Sequence, residues 1–188
     1  MIGAYGSGAK PVISGFTAVS GWTNEGKGIY SKVITSAAQT NMVTINGVPY
    51  GMGRTPDAGY NVYESFSTNV SITDNELGAS PDWDGAEAVI RKNDWTLDRC
   101  LIKDHSGKKI TYTNLGTTQN STAKYGYFIQ NDLRCVTNYG EWFHNISTHK
   151  FYMFFGSVAP TSKKVQVATL NNLIYNDSYD NITIDNIT

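Results

Sequence analysis

Short alternations of apolar and polar residues, separated by turn residues, run through most of the chain and predict β-strands. Between residues 95 and 102, every second position on one side of a predicted strand is occupied by Trp95, Leu97, Arg99 and Leu101. The other predicted strands cover residues 29–34, 42–45, 48–50, 60–63, 66–72, 109–113, 125–129, 133–137, 151–155, 165–170 and 181–187. About ten short strands at near-regular spacing predict an all-β fold, an antiparallel β-sandwich or jelly roll.

Two local signals refine this pattern. Asn46-Gly47, between two short apolar runs, is typical of a type I′ hairpin turn. Ser80-Pro81 is a good helix start, because serine caps the N-terminus and proline suits the first turn, and Asp82 and Asp84 are favourable near the positive end of a helix dipole. The sequence therefore predicts one short helix near residues 81–91.

Glycine is frequent in residues 1–28, which predicts an extended N-terminal arm leading to the first strand. Residues 29–188 are then predicted to form a single β-sandwich domain. A long glycine-rich segment buries little apolar surface by itself, so such an arm is expected to lie against a neighbouring subunit.

Composition supports the β prediction and narrows the function. The chain of 188 residues contains 20 Thr, 17 Asn and 15 Ser, while charged residues are only 16% and the net charge is −1. Plentiful β-branched and aromatic residues argue against disorder. The lack of excess positive charge argues against a nucleic-acid partner.

The chain shows no signal-peptide core near its start, and its longest dense apolar stretch, residues 151–155, is far shorter than the roughly 20 residues that cross a bilayer. We therefore expect no membrane partner. Cys100 and Cys135 are expected to be either two buried thiols in a reducing compartment or a disulfide between neighbouring strands.

Catalytic motifs are weak. The five glutamates, Glu25, Glu64, Glu76, Glu87 and Glu141, fit no recognisable catalytic frame. The histidines and cysteines show no HExxH or CxxC spacing, and no phosphate or dinucleotide loop is present. The sequence therefore predicts no catalytic residues and a protein that is not an enzyme, with a carboxylate-pair glycan hydrolase as the third-ranked function.

Aromatic residues with polar neighbours are the stronger signal. An indole or phenol ring can stack on the apolar face of a sugar, while nearby amides and carboxylates bind its hydroxyls. We predict Trp83, Trp95, Tyr139 and Trp142 as a ligand-binding platform; the alternative is that these rings are core or subunit-interface residues.

The C-terminal third contains Gly140-Glu-Trp-Phe-His144, Val165-Gln-Val-Ala-Thr-Leu170 and Tyr179-Asp-Asn-Ile-Thr-Ile-Asp-Asn-Ile187. These segments resemble the closing strands of jelly-roll (galactose-binding-like) carbohydrate-binding modules. The resemblance implies a β-sandwich that binds glycans without catalysis. It also implies a structural calcium ion at Asp185; no other cofactor is expected.

In overall composition the chain is similar to phage tail, baseplate and head-decoration proteins, which are β-rich, rich in Gly, Asn and Thr, and low in charge. This similarity implies a virion location, other virion subunits as partners, self-association and, for a receptor-binding protein, a host or environmental glycan. The sequence thus predicts a non-catalytic virion protein for glycan recognition or adhesion. The alternative is a purely structural capsid or tail assembly protein.

Overall fold

Eighteen β-strands and two short 3₁₀ helices, Leu133–Cys135 and Pro160–Ser162, form the regular structure of residues 2–36 and 38–188, the part of the chain that this computed structural model describes. The strands are β1 Ile2–Gly3, β2 Phe16–Val19, β3 Thr23–Gly26, β4 Ile29–Val33, β5 Val43–Ile45, β6 Val48–Tyr50, β7 Arg54–Thr55, β8 Asn61–Val62, β9 Ser65–Ser67, β10 Ser71–Thr73, β11 Glu87–Arg91, β12 Leu97–Ser106, β13 Lys109–Asn114, β14 Gly126–Gln130, β15 Trp142–Asn145, β16 Lys150–Phe154, β17 Val165–Ala168 and β18 Ile184–Asp185. Within these described ranges, no helix has the length and apolar character needed to cross a membrane.

Two four-stranded antiparallel sheets share one hydrophobic core. Their strand orders are β2-β17-β5-β6 and β15-β16-β4-β3. Side chains from both sheets, including Val43, Val167, Phe151 and Met153, meet in a single buried cluster. This part of the chain is the predicted sandwich, and it confirms the all-β prediction.

The other large sheet curves back on itself. Its strand order is β7-β14-β11-β12-β13-β10-β9, and β8 also pairs with β14. Only Tyr63 and Glu64 separate β8 from β9, so one run of chain pairs with β14 at its start and with β10 at its end. The sheet therefore closes into a barrel around a second core, which includes the fully buried Tyr127, Ile102 and Ile110.

The Asn46-Gly47 turn signal correctly predicted the hairpin of β5 and β6. Asn46 and Gly47 have φ angles of 53° and 82°, as a type I′ turn requires, and they connect the paired strands β5 and β6. The two cysteines do not pair: Cys100 and Cys135 are both buried free thiols.

The predicted helix near residues 81–91 is wrong. Residues 81–86 form turns and bends, and Glu87–Arg91 is strand β11. β11 pairs with β12 on one side and β14 on the other, and four of its five residues are buried. Long-range pairing of Ala88-Val89-Ile90 between two strands thus outweighs the local helix-start signal.

The prediction that residues 1–28 form an extended arm is wrong for the part of this range that forms strands. Strands β2 and β3 lie inside that range and pair with β17 and β4 of the same chain, and β1 pairs in parallel with β18. Trp22, from the same range, packs edge-on against Phe155 at a ring-centroid distance of 5.4 Å. Much of this segment is therefore built into the sheets of its own chain, because its apolar residues find partners there.

His144 on β15 is a buried titratable group in the sandwich core. Its Nδ1 accepts a hydrogen bond from the Thr40 amide at 3.2 Å, and its Nε2 has no partner among the described residues. Burial, and to a lesser degree the charge of His149, lowers the pKa of His144 from its ordinary value of 6.5.

We predict that the free energy of unfolding falls as the pH is lowered from about 7 to about 5, because the unfolded chain takes up a proton at His144 before the folded chain does. The loss begins at the unfolded pKa and continues down to the lower folded pKa. A His144→Gln variant should show a shallower slope in chemical denaturation measured across this range.

His149→Asn is the matched control, because His149 is exposed and has a positive φ of 55° that asparagine tolerates. An unchanged slope in His144→Gln would contradict the assignment. Asp98 and Asp132, whose pKa values are lowered from 3.8, lose their contributions only at more acidic pH.

Candidate functional site

The loop between β11 and β12 holds Trp95 in a fixed position. The Asn93 side-chain oxygen accepts hydrogen bonds from the amides of Trp95 at 3.2 Å and Thr96 at 2.9 Å. The Arg91 guanidinium donates to the carbonyls of Asn93 and Asp94. Trp95 is 85% exposed on this ordered loop, so its ring is available to a ligand.

A groove of about 310 Å³ lies beside this ring, and we call it the Trp95 groove. It is lined by Tyr60, Arg91, Asp94, Trp95, Thr96, Leu97 and Gly126. Tyr60, Leu97 and Trp95 are all largely exposed apolar or amphipathic side chains. Exposed rings with a few polar groups beside them are typical of small-molecule and sugar sites.

Tyr60 is held against β14. A Cβ at Gly126 would lie 2.7 Å from the Tyr60 Cβ, so the glycine makes room for this close approach. The Arg54 guanidinium lies 5.4 Å from the centre of the Tyr60 ring and 4.0 Å from that of Phe128. Tyr60 therefore forms a fixed wall of the groove.

Charged groups supply hydrogen-bonding capacity at the opposite wall. Arg91 lies over the Tyr125 ring at 4.9 Å, and the Tyr125 hydroxyl donates to Asp94 Oδ1. That hydrogen bond to a carboxylate raises the pKa of Tyr125. Asp94 is exposed, with a second carboxylate oxygen that none of these contacts uses.

Three carboxylates meet in a neighbouring depression of about 410 Å³, which shares Tyr60 with the Trp95 groove. We call Glu64, Asp74 and Glu76 the acidic trio; one side-chain oxygen of each lies within 4.8 Å of the others. The pairing of Ser65 with Thr73 in β9 and β10 brings Glu64 opposite Asp74.

The members of the trio have different environments. The Tyr127 hydroxyl donates to Asp74 Oδ2 at 2.7 Å, and the Asn75 amide donates to Glu64 Oε2 at 2.8 Å. The hydrogen bond with Asp74, followed by the charge of Glu64, raises the pKa of Glu76. Glu76 therefore ionises less readily than an isolated glutamate, and it lies beside carboxylates that accept hydrogen bonds.

Two of the four predicted platform residues are core residues. Trp142 is 2% exposed and donates from its indole nitrogen to the Tyr50 carbonyl at 2.8 Å. Trp83 is buried in the barrel core, with the Arg134 guanidinium 4.7 Å from its ring centre. The prediction that Trp83 and Trp142 form a ligand platform is wrong, because neither ring face is open to a ligand.

The other two predicted residues lie apart. Trp95 is in the groove on the barrel, whereas Tyr139 packs edge-on against Tyr50 and Phe155 of the sandwich. The structure therefore does not bring Tyr139 to Trp95, and the binding role of Trp95 stays a prediction.

The predicted calcium ligand Asp185 lies exposed on β18, paired with Gly3 of β1. Among the described residues, the one cluster of three acidic, histidine or cysteine side chains with metal-ligand spacing is the acidic trio. The residues around Asp185 thus do not form the carboxylate-rich donor set that calcium prefers.

Sequence reasoning missed Tyr60, Arg91 and Asp94 as partners of Trp95, and it missed the acidic trio. A signal for the trio was present: a hairpin turn at residues 68–70 aligns position 64 with position 74 in an antiparallel register. No local signal marks Tyr60, because it reaches the groove only when β8 pairs with β14.

Fold and site together define an all-β protein with an exposed aromatic groove next to a carboxylate cluster. No protein-family model matches the chain, and no curated protein matches it. A solved structure named "Glycoside hydrolase" has the same fold over 86% of this chain, with a TM-score of 0.68 and 16% sequence identity. The chain spans 32% of the length of that protein.

This comparison overturns the prediction that the chain is not an enzyme. A chain named as a glycoside hydrolase contains this fold, so the lack of a recognisable catalytic motif in the sequence does not argue against enzymatic activity. The sequence analysis also found no catalytic frame among the five glutamates, but the fold brings Glu64 and Glu76 together with Asp74.

We predict effects of very different size on the free energy of unfolding for two tryptophan variants. Trp142→Ala should reduce the free energy of unfolding by about 3–5 kcal/mol, because it empties a core position. Trp95→Ala should change it by less than about 0.5 kcal/mol, because the ring is exposed. Urea denaturation of both variants and the parent measures the difference; a strongly destabilised Trp95→Ala would show that the ring is part of the core.

Proposed function

We propose that the Trp95 groove binds a glycan. The observation that carries the proposal is the 85% exposure of Trp95 on a loop fixed by Asn93 and Arg91. Trp95 forms a contiguous exposed surface with Tyr60 and Leu97, and contiguous exposed apolar patches are typical of ligand or partner sites. The structural neighbour adds support, because its name, glycoside hydrolase, is that of a protein that acts on glycosides.

The groove has the groups that a sugar needs. Trp95 and Tyr60 offer ring faces for the C–H side of a pyranose, and Asp94 and Arg91 offer an acceptor and donors for its hydroxyls. Because the loop and Tyr60 are already ordered, binding costs little conformational entropy. The virion setting, self-association and partner subunits predicted from composition stay predictions beside this proposal.

Affinity electrophoresis through gels containing neutral polysaccharides tests the groove. We expect the parent protein to be retarded by at least one polysaccharide and Trp95→Ala to bind at least about tenfold more weakly. Tyr175→Ala is the matched control, because Tyr175 is 75% exposed and lies outside the groove. Equal retardation of all three proteins would contradict the proposal.

A second candidate function is glycoside hydrolysis at the acidic trio, favoured by the position of the trio next to the Trp95 groove and by the raised pKa of Glu76. In this mechanism, protonated Glu76 gives its proton to the glycosidic oxygen as the C–O bond breaks. The Glu64 carboxylate attacks the anomeric carbon, and water then releases the sugar. Retaining glycosidases use two carboxyl groups about 5–5.5 Å apart for these steps.

Release of reducing ends from the polysaccharide bound in the gel assay tests this mechanism. Glu76→Gln and Glu64→Gln should each lower the rate at least about a hundredfold. Glu141→Gln is the control, because Glu141 accepts from the amides of Thr137 and Asn138, away from the trio. Hydrolysis that survives in both trio variants would exclude the trio as the catalytic centre.

A further inference from the structure

Lys92, at the foot of the Trp95 loop, is fully buried. Its Nζ contacts Asp98 Oδ2 at 2.6 Å, Asn69 Oδ1 at 2.7 Å, the Thr117 carbonyl at 2.8 Å and Asn114 Oδ1 at 3.0 Å. A buried ammonium group must have such partners, because a lone charge in the interior is very unfavourable. What is unusual is their kind: a primary amine, two carboxamides and a carboxyl group meet at one point in the fold.

The Asn114 carboxamide is fixed beside this amine. Its Nδ2 donates to the Thr117 carbonyl at 2.6 Å, and its oxygen also accepts from the Gly116 amide at 3.4 Å. The buried Cys100 thiol lies 3.7 Å from the same oxygen. These donors polarise the carbonyl and would stabilise negative charge on its oxygen.

Asn69 makes fewer contacts of this kind. Its oxygen accepts from Lys92, and its Nδ2 donates to the Thr118 carbonyl at 3.2 Å. No other donor to its oxygen is found among the described residues. Asn69 is therefore suited to orient the amine, and Asn114 is the better electrophile.

Asp98 is placed to move a proton. It is 5% exposed, contacts Nζ directly and accepts from the amide and hydroxyl of Thr117, both at 2.9 Å. Gly116 lies so close that a Cβ there would come within 2.4 Å of Asp98. The carboxylate thus lies between the amine and the turn that follows Asn114.

We propose that Lys92 and Asn114 form an intramolecular isopeptide bond. The Lys92 ammonium passes a proton to Asp98, and the neutral amine attacks Asn114 Cγ. The new Nζ–Cγ bond forms and the Cγ–Nδ2 bond breaks. Nδ2, which already carries two hydrogens, receives one proton from Nζ and one from Asp98 and leaves as an ammonium ion. No oxidant or cofactor is consumed, and Asp98 ends as it began.

Preorganisation makes such a step feasible without an external enzyme. The fold holds the amine and the carboxamide in contact, so the entropic cost of bringing them together is already met when the chain folds. The reaction happens once in each molecule, so even a slow rate completes it. The bond would join the ends of β11 and β13, which are 22 residues apart in the chain.

Intact mass spectrometry of the purified full chain tests the proposal. We expect a mass about 17 Da below that of the sequence, equal to the loss of one ammonia. Protease digestion with fragment sequencing should yield a branched peptide that contains Lys92 and Asn114. A folded protein with the full sequence mass would overturn the proposal.

Variants separate this bond from other ammonia losses. Lys92→Met and Asn114→Ala should restore the full mass, and Asp98→Asn should do so while keeping a side chain of the same size. Asn46→Ala should keep the loss; it is the control because Asn46-Gly47 is a sequence that also loses ammonia by forming a succinimide. A loss of 17 Da that persists in Lys92→Met, or a branch at Asn69 in place of Asn114, would overturn the assignment.

Discussion

The barrel depends on the buried pair of Lys92 and Asp98. Burying two charges costs several kcal/mol for each ion, and only close pairing with further hydrogen bonds offsets that cost. Here those bonds come from the β9–β10 turn, the end of β13 and the turn that follows it. These segments must therefore be in place together, and the loop that carries Trp95 begins at the same lysine.

In strand β12 the usual pattern of apolar residues inside and polar residues outside is partly reversed. Leu97 and Leu101 point outward, while Asp98, Cys100 and Ile102 are buried. The inward aspartate is tolerated because its carboxylate contacts Lys92 Nζ and accepts two hydrogen bonds from Thr117. Leu97, on the outward face, lines the Trp95 groove. Strand β12 thus contributes Asp98 to the interior of the barrel and Leu97 to the candidate site.

The sequence correctly predicted those elements whose conformation depends on residues close by in the chain. The Asn46-Gly47 turn and strand β13 follow from nearby residues, and both are observed. The segment at residues 81–91 was mispredicted because β12 and β14, which pair with β11, are distant in the chain. Trp83 and Trp95 show the same limit for the site: both have polar neighbours in sequence, and only tertiary packing makes one a core residue and the other exposed.

The closure of the barrel by β8 and β9 affects how this protein behaves among other chains. An open sheet ends in a row of unpaired amides and carbonyls onto which a foreign strand can add, and a closed sheet removes that row. The sandwich is open, but Pro49 interrupts its outer strand β6, and Glu25 places a charge on its outer strand β3. Closure of the barrel thus removes one pair of open edges, and Pro49 and Glu25 make two of the sandwich edges less suitable for pairing with a foreign strand.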